Sequence, residues 1–462
     1  MLHNAKILQF CKAVRGAGGR ALVVGGAVRD YLQGDFAPKD IDIEVYNLTL
    51  AQVNALVEAH ADGKVNAVGL SFGVLKCDMG GLDIDISLPR LDNKVAGGHK
   101  GFVVDMQSDL TVKEAAARRD FTINSMAFDL LTNEVVDEYH GHAAITHKVL
   151  RHTSAAFAED PLRVLRGMQF AGRFDMKLAG ATAGLCRKMM GHYSQLPKER
   201  VWVEWEKWAT KSVKPSRGLE LLLDSFWVLN FPELADLEFI PQDPEWHPEG
   251  DVFTHTCHTC DAMADICKRE NIQGEDKAVL VFAALCHDMG KVNTTEQVDG
   301  RWRAPKHAST GVPIAKGFLE SIGAPKKIID RVLPLVAEHM VHISMVVNNR
   351  AVRRLSLRIQ PATINELSMV VEADMGGRPP LPRENNSLML AIVEVAEELA
   401  IESDVPKPIV TGKHLLALGY EQGSDLGAML HFLFDMQLEG EFSSAEEAVE
   451  KYVVLSPLVA RA

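Results

Sequence analysis

The sequence predicts an α+β N-terminal head, built on a small mixed sheet with helices, followed by mostly α-helical domains that include a helical bundle. Three observations carry this expectation. Between residues 20 and 90, short apolar runs broken by Gly25-Gly26 and Gly80-Gly81 alternate with one helix-length stretch, Thr49 to His60. From Leu219 onward the strand signals give way to long helical patterns. Along those later helices, histidines and aspartates recur singly, which is how helical bundles build a site in their core. At 462 residues the chain exceeds one core, and the length alone suggests roughly three domains. The pattern divides it into a head at 1–145, a helical region at 146–240, a bundle at 241–390 and a helical tail at 391–462.

The head is organised around Val23 to Tyr46. The run Ala21-Leu-Val-Val24 ends at Gly25-Gly26, and a helix follows through Ala27 to Leu32. A glycine pair opening a helix offers backbone N–H groups and the positive end of a helix dipole, a seat for phosphate. A turn-rich segment with Gly34, Asp35 and Pro38 then leads to Asp40-Ile-Asp42-Ile-Glu44. On a strand this alternation sets Asp40, Asp42 and Glu44 on one face and Ile41, Ile43 and Val45 on the other. A row of acids repels itself unless a divalent cation sits among them, and hard cations suit carboxylate and phosphate oxygens. Phosphate seat and metal carboxylates together point to nucleotide chemistry.

Lys64 to Val68 reads as a short strand, and Gly69 to Gly73 breaks the chain before Val74 to Cys77. Gly80-Gly81 turns into Leu82-Asp-Ile-Asp-Ile86, where Asp85 is the third carboxylate candidate and Asp83, on the same face, its competitor. Residues 89–110, rich in Gly, Lys and Asp, read as a mobile loop. Arg118, Arg119 and Asp120 open the segment that carries Asn124; arginine suits bidentate phosphate contacts, and Asp and Asn can take ribose hydroxyls. Val135 to Gly141 reads as a strand running into a turn. At Glu159-Asp160-Pro161-Leu-Arg163-Val-Leu-Arg166, Pro161 starts a helix that sets Arg163 and Arg166 one turn apart. Asp160 and Arg163 either present a fixed donor and acceptor pattern to a base edge or form a surface ion pair worth roughly 0.2–0.5 kcal/mol. Lys198 to Lys207 is an amphipathic helix with charge pairs, expected to be structural.

With 47% apolar and 24% charged residues, the composition is that of a soluble globular protein. The first sixteen residues lack a continuous apolar core, and runs such as Ala278 to Cys286 are too short to span a bilayer. No membrane association is expected. Seven scattered cysteines read as reduced thiols in the cytoplasm. A net charge of −13 argues against nonspecific coating of nucleic acid but allows a local basic groove.

Four blocks now carry a resemblance: GGAVRD at 25–30, KDIDIE at 39–44, RRDFTINSMAFD at 118–129 and EDPLRVLRGMQFAGRF at 159–174. Residues 21 to about 210 resemble the class II tRNA nucleotidyltransferases (CCA-adding enzymes) and related bacterial poly(A) polymerases, within the polymerase-beta-like nucleotidyltransferase superfamily. The resemblance implies a template-independent enzyme that builds or repairs the CCA end of tRNA from CTP and ATP, releasing pyrophosphate. It implies that Gly25, Gly26 and Arg29 hold the triphosphate, and that Asp40 and Asp42 bind two magnesium ions (Mg2+), with Asp85 the third catalytic carboxylate candidate. Arg119, Asp120 and Asn124 would lie around ribose and phosphates. Asp160 and Arg163 would pair with the base of CTP or ATP, held in place by Glu159 and Arg166. Leu91 to Asp105 fits the flexible loop that family members use.

In the second half, Phe231 to Asp251 is a Pro- and acid-rich connection near a domain boundary. Beyond it stand His255, His287-Asp288, His307, His339 and Asp374. Any one of them could be an ordinary core residue. A buried His-Asp pair ending the apolar helix AVLVFAALCHD, however, needs a partner for its charge, and a metal supplies one. The set resembles the HD phosphohydrolase superfamily over roughly 250–380. The resemblance implies His255, His287, Asp288 and Asp374 as first-metal ligands, with His307 and His339 serving a second metal or a phosphate. The ion would be a divalent transition metal or Mg2+, and the activity phosphatase or cyclic phosphodiesterase; a decayed structural block is the alternative. Cys257-x-x-Cys260 lacks a second pair and reads as packing on the helix of His255 rather than as a zinc site.

Arg350, Arg353, Arg354 and Arg358, in a stretch without acids, are the candidate tRNA-backbone contact of this half, or else a solvated helix face. The tail, Pro408 to Gly419 and Asp425 to Leu438, resembles the C-terminal RNA-binding region of the same enzymes. Poly(A) polymerase, CC-only or A-only addition, and a hydrolase with a nucleotide-binding head stay open as alternatives. The sequence sets no oligomeric state.

Overall fold

The computed structural model describes residues 4–35, 40–63, 65, 74–94, 102–106, 109–383 and 386–453. Two compact units divide the chain, Met1–Asn230 and Phe231–Ala462. No helix is long and apolar enough to cross a membrane among the described residues.

The first unit begins with α1 (Ala5–Gly16), β1 (Arg20–Val24), α2 (Gly26–Leu32), β2 (Asp40–Tyr46) and α3 (Leu50–His60). Asn4 caps α1 through its side chain, and Thr49 and Gln52 form a reciprocal capping box that starts α3. Next come β3 (Val74–Asp78), β4 (Asp83–Ser87), β5 (Arg90–Lys94), β6 (Phe102–Met106), α4 (Val112–Ala117), β7 (Ala127–Asp129) and β8 (Glu134–Val136). Six strands make one sheet in the order β3-β4-β2-β1-β7-β8. β2 and β4 run parallel and the other neighbours antiparallel, so the sheet is mixed, as the sequence predicts.

Pleating splits β2 cleanly. Ile41, Ile43 and Val45 join Val23, Val28 and residues of α1 and α3 in the main core of the head. The acidic face lies with Leu22 and Val24, opposite Glu44 and Asp42 in register, and there α4 packs through Ala115. A helix therefore covers the apolar part of that face, and its C-terminal end delivers Arg118 and Arg119 to the acids.

One expectation fails here. Residues 89–110 are not loop throughout: β5 and β6 pair antiparallel from Arg90↔Met106 to Lys94↔Phe102. The paired ends read RLDNK and FVVDM, which carry no apolar–polar alternation, so the segment with its Gly- and Lys-rich middle gave no strand signal. Residues 95–101, together with Lys64, 66–73 and 36–39, lie outside the described residues.

The first unit continues with α5 (Gly141–Thr146), β9 (Val149–Leu150), α6 (Leu162–Phe174), β10 (Lys177–Leu178), α7 (Gly180–Met189), α8 (Lys198–Lys211) and α9 (Ser216–Asp224). Asp160 Oδ1 accepts from the N–H of Leu162 at 3.0 Å and starts α6 just after Pro161. α6 packs against α8 and α9. On α8, Trp202, Trp205 and Trp208 recur every three residues and are all buried, which fixes the opposite side of the helix.

The second unit opens with α10 (Pro232–Ala235), then α11 (Val252–Arg269), α12 (Gly274–Cys286) and α13 (Lys291–Thr294). A small hairpin, β11 (Glu296–Val298) and β12 (Arg301–Arg303), precedes α14 (His307–Ser321), α15 (Lys326–Glu338) and α16 (Val341–Ser344). The chain ends in α17 (Asn349–Arg358), α18 (Ile364–Gly376), α19 (Ser387–Glu398), α20 (Gly412–Ala417), α21 (Ser424–Glu439) and α22 (Ala445–Ala448). α12 is apolar on every side from Ala278 to Cys286 and is buried among α11, α15 and α18. Cys257 and Cys260 are buried free thiols on α11. The tail has its own small core of Val410, Leu415, Leu433, Phe442, Ala448 and Val453.

Candidate functional site

In the head, β1 ends at Val24 and the backbone turns through Gly25 at φ +74° before α2 begins. A Cβ on Gly25 would lie 3.0 Å from Arg119 Nη1 and 3.8 Å from Asp42 Oδ2. Glycine is required twice over, for that dihedral and for this close approach. Arg29 is buried on α2; its Nη1 donates to Asn124 Oδ1 at 2.6 Å and its Nη2 to Asp30 at 2.6 Å, with the guanidinium 4.5 Å from the Phe174 ring. Asp120 accepts from Arg166 at 2.8 Å and from Asn124 at 3.1 Å. Burial works against its charge, but Arg166 and those hydrogen bonds hold its carboxyl below the usual range.

Glu44 is buried and takes Arg118 at 3.1 Å, Arg119 at 2.8 Å and the Tyr46 hydroxyl at 2.8 Å. Burial raises its pKa, but the two guanidiniums outweigh that and keep it ionised. The third acid of β2 thus anchors arginines, while Asp42 stays exposed. Asp40 begins β2, its side chain outside the described residues. The parallel register sets Asp85 beside Asp42 and Asp83 beside Asp40. Asp85 also accepts from Lys76 Nζ at 2.6 Å.

Gly25, Gly26, Arg29, Asp42, Arg119 and Asn124 share a cavity of about 600 Å3 with Asp160, Arg163 and Arg166 of the α6 region and Arg200, Lys207 and Lys211 of α8, whereas Asp85 is not part of its lining. Nine of its eighteen lining residues are Arg or Lys, against three aspartates. Several of these cations are ion-paired, Arg118 and Arg119 with Glu44, Arg166 with Asp120 and Arg200 with Asp160, so the lining is densely charged and suits an anionic ligand that takes over part of that pairing.

The reading of Asp160 and Arg163 as an ion pair fails. Arg163 donates to the carbonyls of Ala156 at 2.6 Å and Arg118 at 2.8 Å. Asp160 Oδ2 instead accepts from Arg200 at 3.1 Å. Arg166 is engaged with Asp120, not with the Asp160–Arg163 pair it was expected to hold. The helix expected to be structural, Lys198 to Lys207, also faces the cavity: Arg200, Lys207 and Lys211 line it at i, i+7 and i+11, a helical-face spacing that could have been read from the sequence.

In the second unit all six predicted residues converge. His255 Nε2 lies 3.1 Å from Asp374 and 3.3 Å from His287 Nε2, which is 3.1 Å from Asp288. His307 Nε2 lies 3.3 Å from Asp288 Oδ1 and 3.1 Å from His339 Nε2. α11, α12, α14, α15 and α18 each contribute at or just beyond an end or face. The Nδ1 atoms settle the ring chemistry. Those of His287, His307 and His339 donate to the carbonyls of Ala284, Ala304 and Val336 at 2.7–2.8 Å. That of His255 donates to Glu249 Oε1 at 2.8 Å. With every Nδ1 committed as a donor, each Nε2 offers a lone pair whenever its ring is neutral, and the four face one another and two aspartates.

Converging lone pairs and carboxylates in a buried space suit divalent cations. Asp288 Oδ2 adds to this: it is buried, 2.7 Å from Lys291 Nζ, yet makes no well-aligned hydrogen bond. A cavity of about 920 Å3 opens from this centre, lined also by Lys291, Arg303 and Arg378 and by the exposed rings of Trp246 and Trp302.

A cation bound here would compete with protons for the same atoms, which gives a pH test. Burial alone would pull His255 down, but Asp374 and Glu249 raise it to about 9. A proton held that tightly stabilises the metal-free fold fully below about 6.5, and the stabilisation is lost as pH rises through about 9. Burial, with His287 and His307 adding to it, lowers His339 to about 3, so its contribution is present above about 6.5 and lost as pH falls. Cations need the neutral rings. The melting-temperature increase caused by saturating Mn2+ over chelator-treated protein should therefore be larger at pH 9 than at pH 6. An increase that shrinks as pH rises would contradict this set of ligands.

Two residues of the centre were missed. His247 and Glu249 sit in the stretch expected to be a connection, and Glu249 Oε1 accepts from both His247 and His255. The pattern W-H-P-E-G, with an acid and an imidazole so near His255, was the available signal. The arginine stretch 350–358 lacks acids along its own sequence but not in space. Its acids come from other helices: Arg350 and Arg354 pair with Glu439, and Arg358 with Glu338 at 2.8 Å.

Fold and sites together define a nucleotidyltransferase head joined to an HD domain. The family models agree: the poly A polymerase head domain matches residues 21–151 and the HD domain residues 252–400. The "Multifunctional CCA protein" of Xanthomonas campestris pv. campestris (strain B100) is 35% identical over 368 residues, covering 77% of this chain and 85% of that protein. That of Xanthomonas euvesicatoria pv. vesicatoria (strain 85-10) is 34% identical over the same shares. The chain belongs to this family of CCA-adding nucleotidyltransferases with an HD domain. In fold it is similar to the Bacillus stearothermophilus CCA-adding enzyme solved with CTP, with a TM-score of 0.65 and 19% identity over 97% of both chains. It is also similar to the Thermotoga maritima CCA-adding enzyme complexed with tRNA_CCA, with a TM-score of 0.58 and 18% identity over 98% of this chain and 96% of that one.

Proposed function

We propose that the head adds or repairs the 3′-terminal CCA of tRNA from CTP and ATP, releasing pyrophosphate. The carrying observation is the cavity that nine Arg and Lys residues line together with Gly25, Gly26 and Asp42. In this reading Gly25, Gly26, Arg29 and Arg119 hold the triphosphate, Asp120 and Asn124 orient the ribose side, and Asp40, Asp42 and Asp85 hold magnesium. Magnesium there would supply activation of the primer 3′-hydroxyl and charge neutralisation on the leaving pyrophosphate. Asp160 and Arg163 offer the base an acceptor and a fork of donors once they exchange their present partners. Arg200, Lys207 and Lys211 extend the positive surface toward the RNA backbone.

For the second unit we propose a metal-dependent phosphohydrolase of the phosphatase or cyclic phosphodiesterase type. His255, His287, Asp288 and Asp374 form one ligand set, His307 and His339 serve a second ion or a phosphate, and Lys291 and Arg303 lie in the cavity to take phosphate charge. We keep the division at 1–145, 146–240, 241–390 and 391–462 and a cytoplasmic setting as part of this proposal.

The test supplies CTP or ATP singly to tRNAs ending before CCA, after C and after CC. The expected products are two C additions on the first, one on the second, and A only on the third. Incorporation of A into any RNA without prior C would overturn the CCA assignment in favour of poly(A) addition.

A further inference from the structure

Among the four imidazoles that converge in the second unit, His255 differs in what holds it. The others donate Nδ1–H to a main-chain carbonyl, whereas His255 donates to the carboxylate of Glu249 at 2.8 Å. The same oxygen accepts from His247 Nδ1 at 2.9 Å, and the His247 and His255 rings meet edge to face with centroids 4.8 Å apart. Glu249 has no exposed side-chain surface, and its Oε2 is buried without a hydrogen bond. A buried carboxylate with one idle oxygen is costly, and two donors on the other oxygen only partly offset it. Asp251, two residues on, caps α11 by accepting from the N–H of Thr254 at 2.8 Å, so the segment carrying Glu249 is pinned to the helix that carries His255.

We propose that Glu249 is the positioning residue of the metal centre, with His247 as the brace that fixes its carboxylate. The proposal rests on the reading of the second unit as a metal site. Glu249 holds the Nδ1–H tautomer of His255 and turns its Nε2 lone pair toward Asp374 and Asp288. A carboxylate acceptor also makes that nitrogen a stronger donor to a cation than a carbonyl does. Loss of such a partner typically weakens metal binding about 10–100-fold.

The experiment titrates the full chain with Co2+ and follows both its absorption and the calorimetric heat. The same titration of His287→Ala plus Asp288→Ala is subtracted to remove binding at the head. Glu249→Ala should weaken the difference signal about 10–100-fold and change the cobalt spectrum, because His255 is free to rotate. Glu249→Gln keeps an acceptor oxygen without the charge and should fall between Glu249→Ala and wild type. If both variants melt at lower temperature yet bind Co2+ as tightly and with the wild-type spectrum, Glu249 is only structural and the proposal is overturned. If wild type itself gives no difference signal, the metal reading of the second unit fails, and the proposal falls with it.

Discussion

Asp42→Ala should lower nucleotide addition by at least about 10³-fold while leaving hydrolysis by the second unit unchanged. The size follows from what the carboxylate is asked to do. Holding ions against the attacking and leaving oxygens is worth several kcal/mol of transition-state stabilisation. Each 1.36 kcal/mol is about tenfold in rate, so about 4 kcal/mol gives about 10³. The fold should survive, because Asp42 is exposed on the acidic face of β2 while Ile41 and Ile43 carry the packing. Asp42→Asn, which keeps the shape and removes the charge, should behave like the alanine variant. Initial rates of CTP incorporation into tRNA lacking CCA measure this directly. A loss below about tenfold in both variants would place the chemistry elsewhere in the cavity.

The mirror experiment is His287→Ala together with Asp288→Ala. Both residues lie at the end of α12 and have almost no exposed surface. Asp288 is the shared partner of His287, His307 and Lys291, so its removal takes away the charge around which the ligands gather. Burial pushes its carboxyl up, but the neighbouring imidazoles and Lys291 hold it well below the usual carboxylate range. The double variant should lose phosphohydrolase activity by at least about 10³-fold, along with the Mn2+-dependent rise in melting temperature, and should add nucleotides at the wild-type rate. Removing a buried charge leaves its partners uncompensated, so Asp288→Asn alone, with circular dichroism, separates loss of site from loss of fold. Equal loss of both activities in a folded protein would mean that the two sites are not independent.

How much of this was legible depends on how local each signal is. Gly25-Gly26 followed by Asp40-x-Asp42-x-Glu44 reads directly as turn, helix and two-faced strand, because pleating and helix starts are fixed by neighbours in sequence. The convergence of six residues in the second unit was also legible, as polar residues on otherwise apolar helices. What the sequence did not reveal is which partner each long side chain selects. Asp160 and Arg163 are three apart and invite pairing. The short turn at Ala155–Glu159 brings the Ala156 carbonyl to Arg163 instead, and α8 brings Arg200 to Asp160. The arginines of α17 look unopposed along the chain and are opposed in space by Glu338 and Glu439. Glu44 shares the acidic strand face with Asp40 and Asp42, but its burial makes it the anchor of Arg118 and Arg119. Each of these outcomes depends on packing between elements distant in sequence.

A structure of the protein with CTP and magnesium is the most direct test of a cavity that both holds the triphosphate and reads the base. The triphosphate should lie against Gly25, Gly26, Arg29 and Arg119, with magnesium between it and Asp42. Asp160 should have left Arg200, Arg163 should have left the Ala156 and Arg118 carbonyls, and both should meet the Watson–Crick edge of cytosine. A bound CTP whose base lies away from an intact Asp160–Arg200 pair would contradict this reading of the cavity.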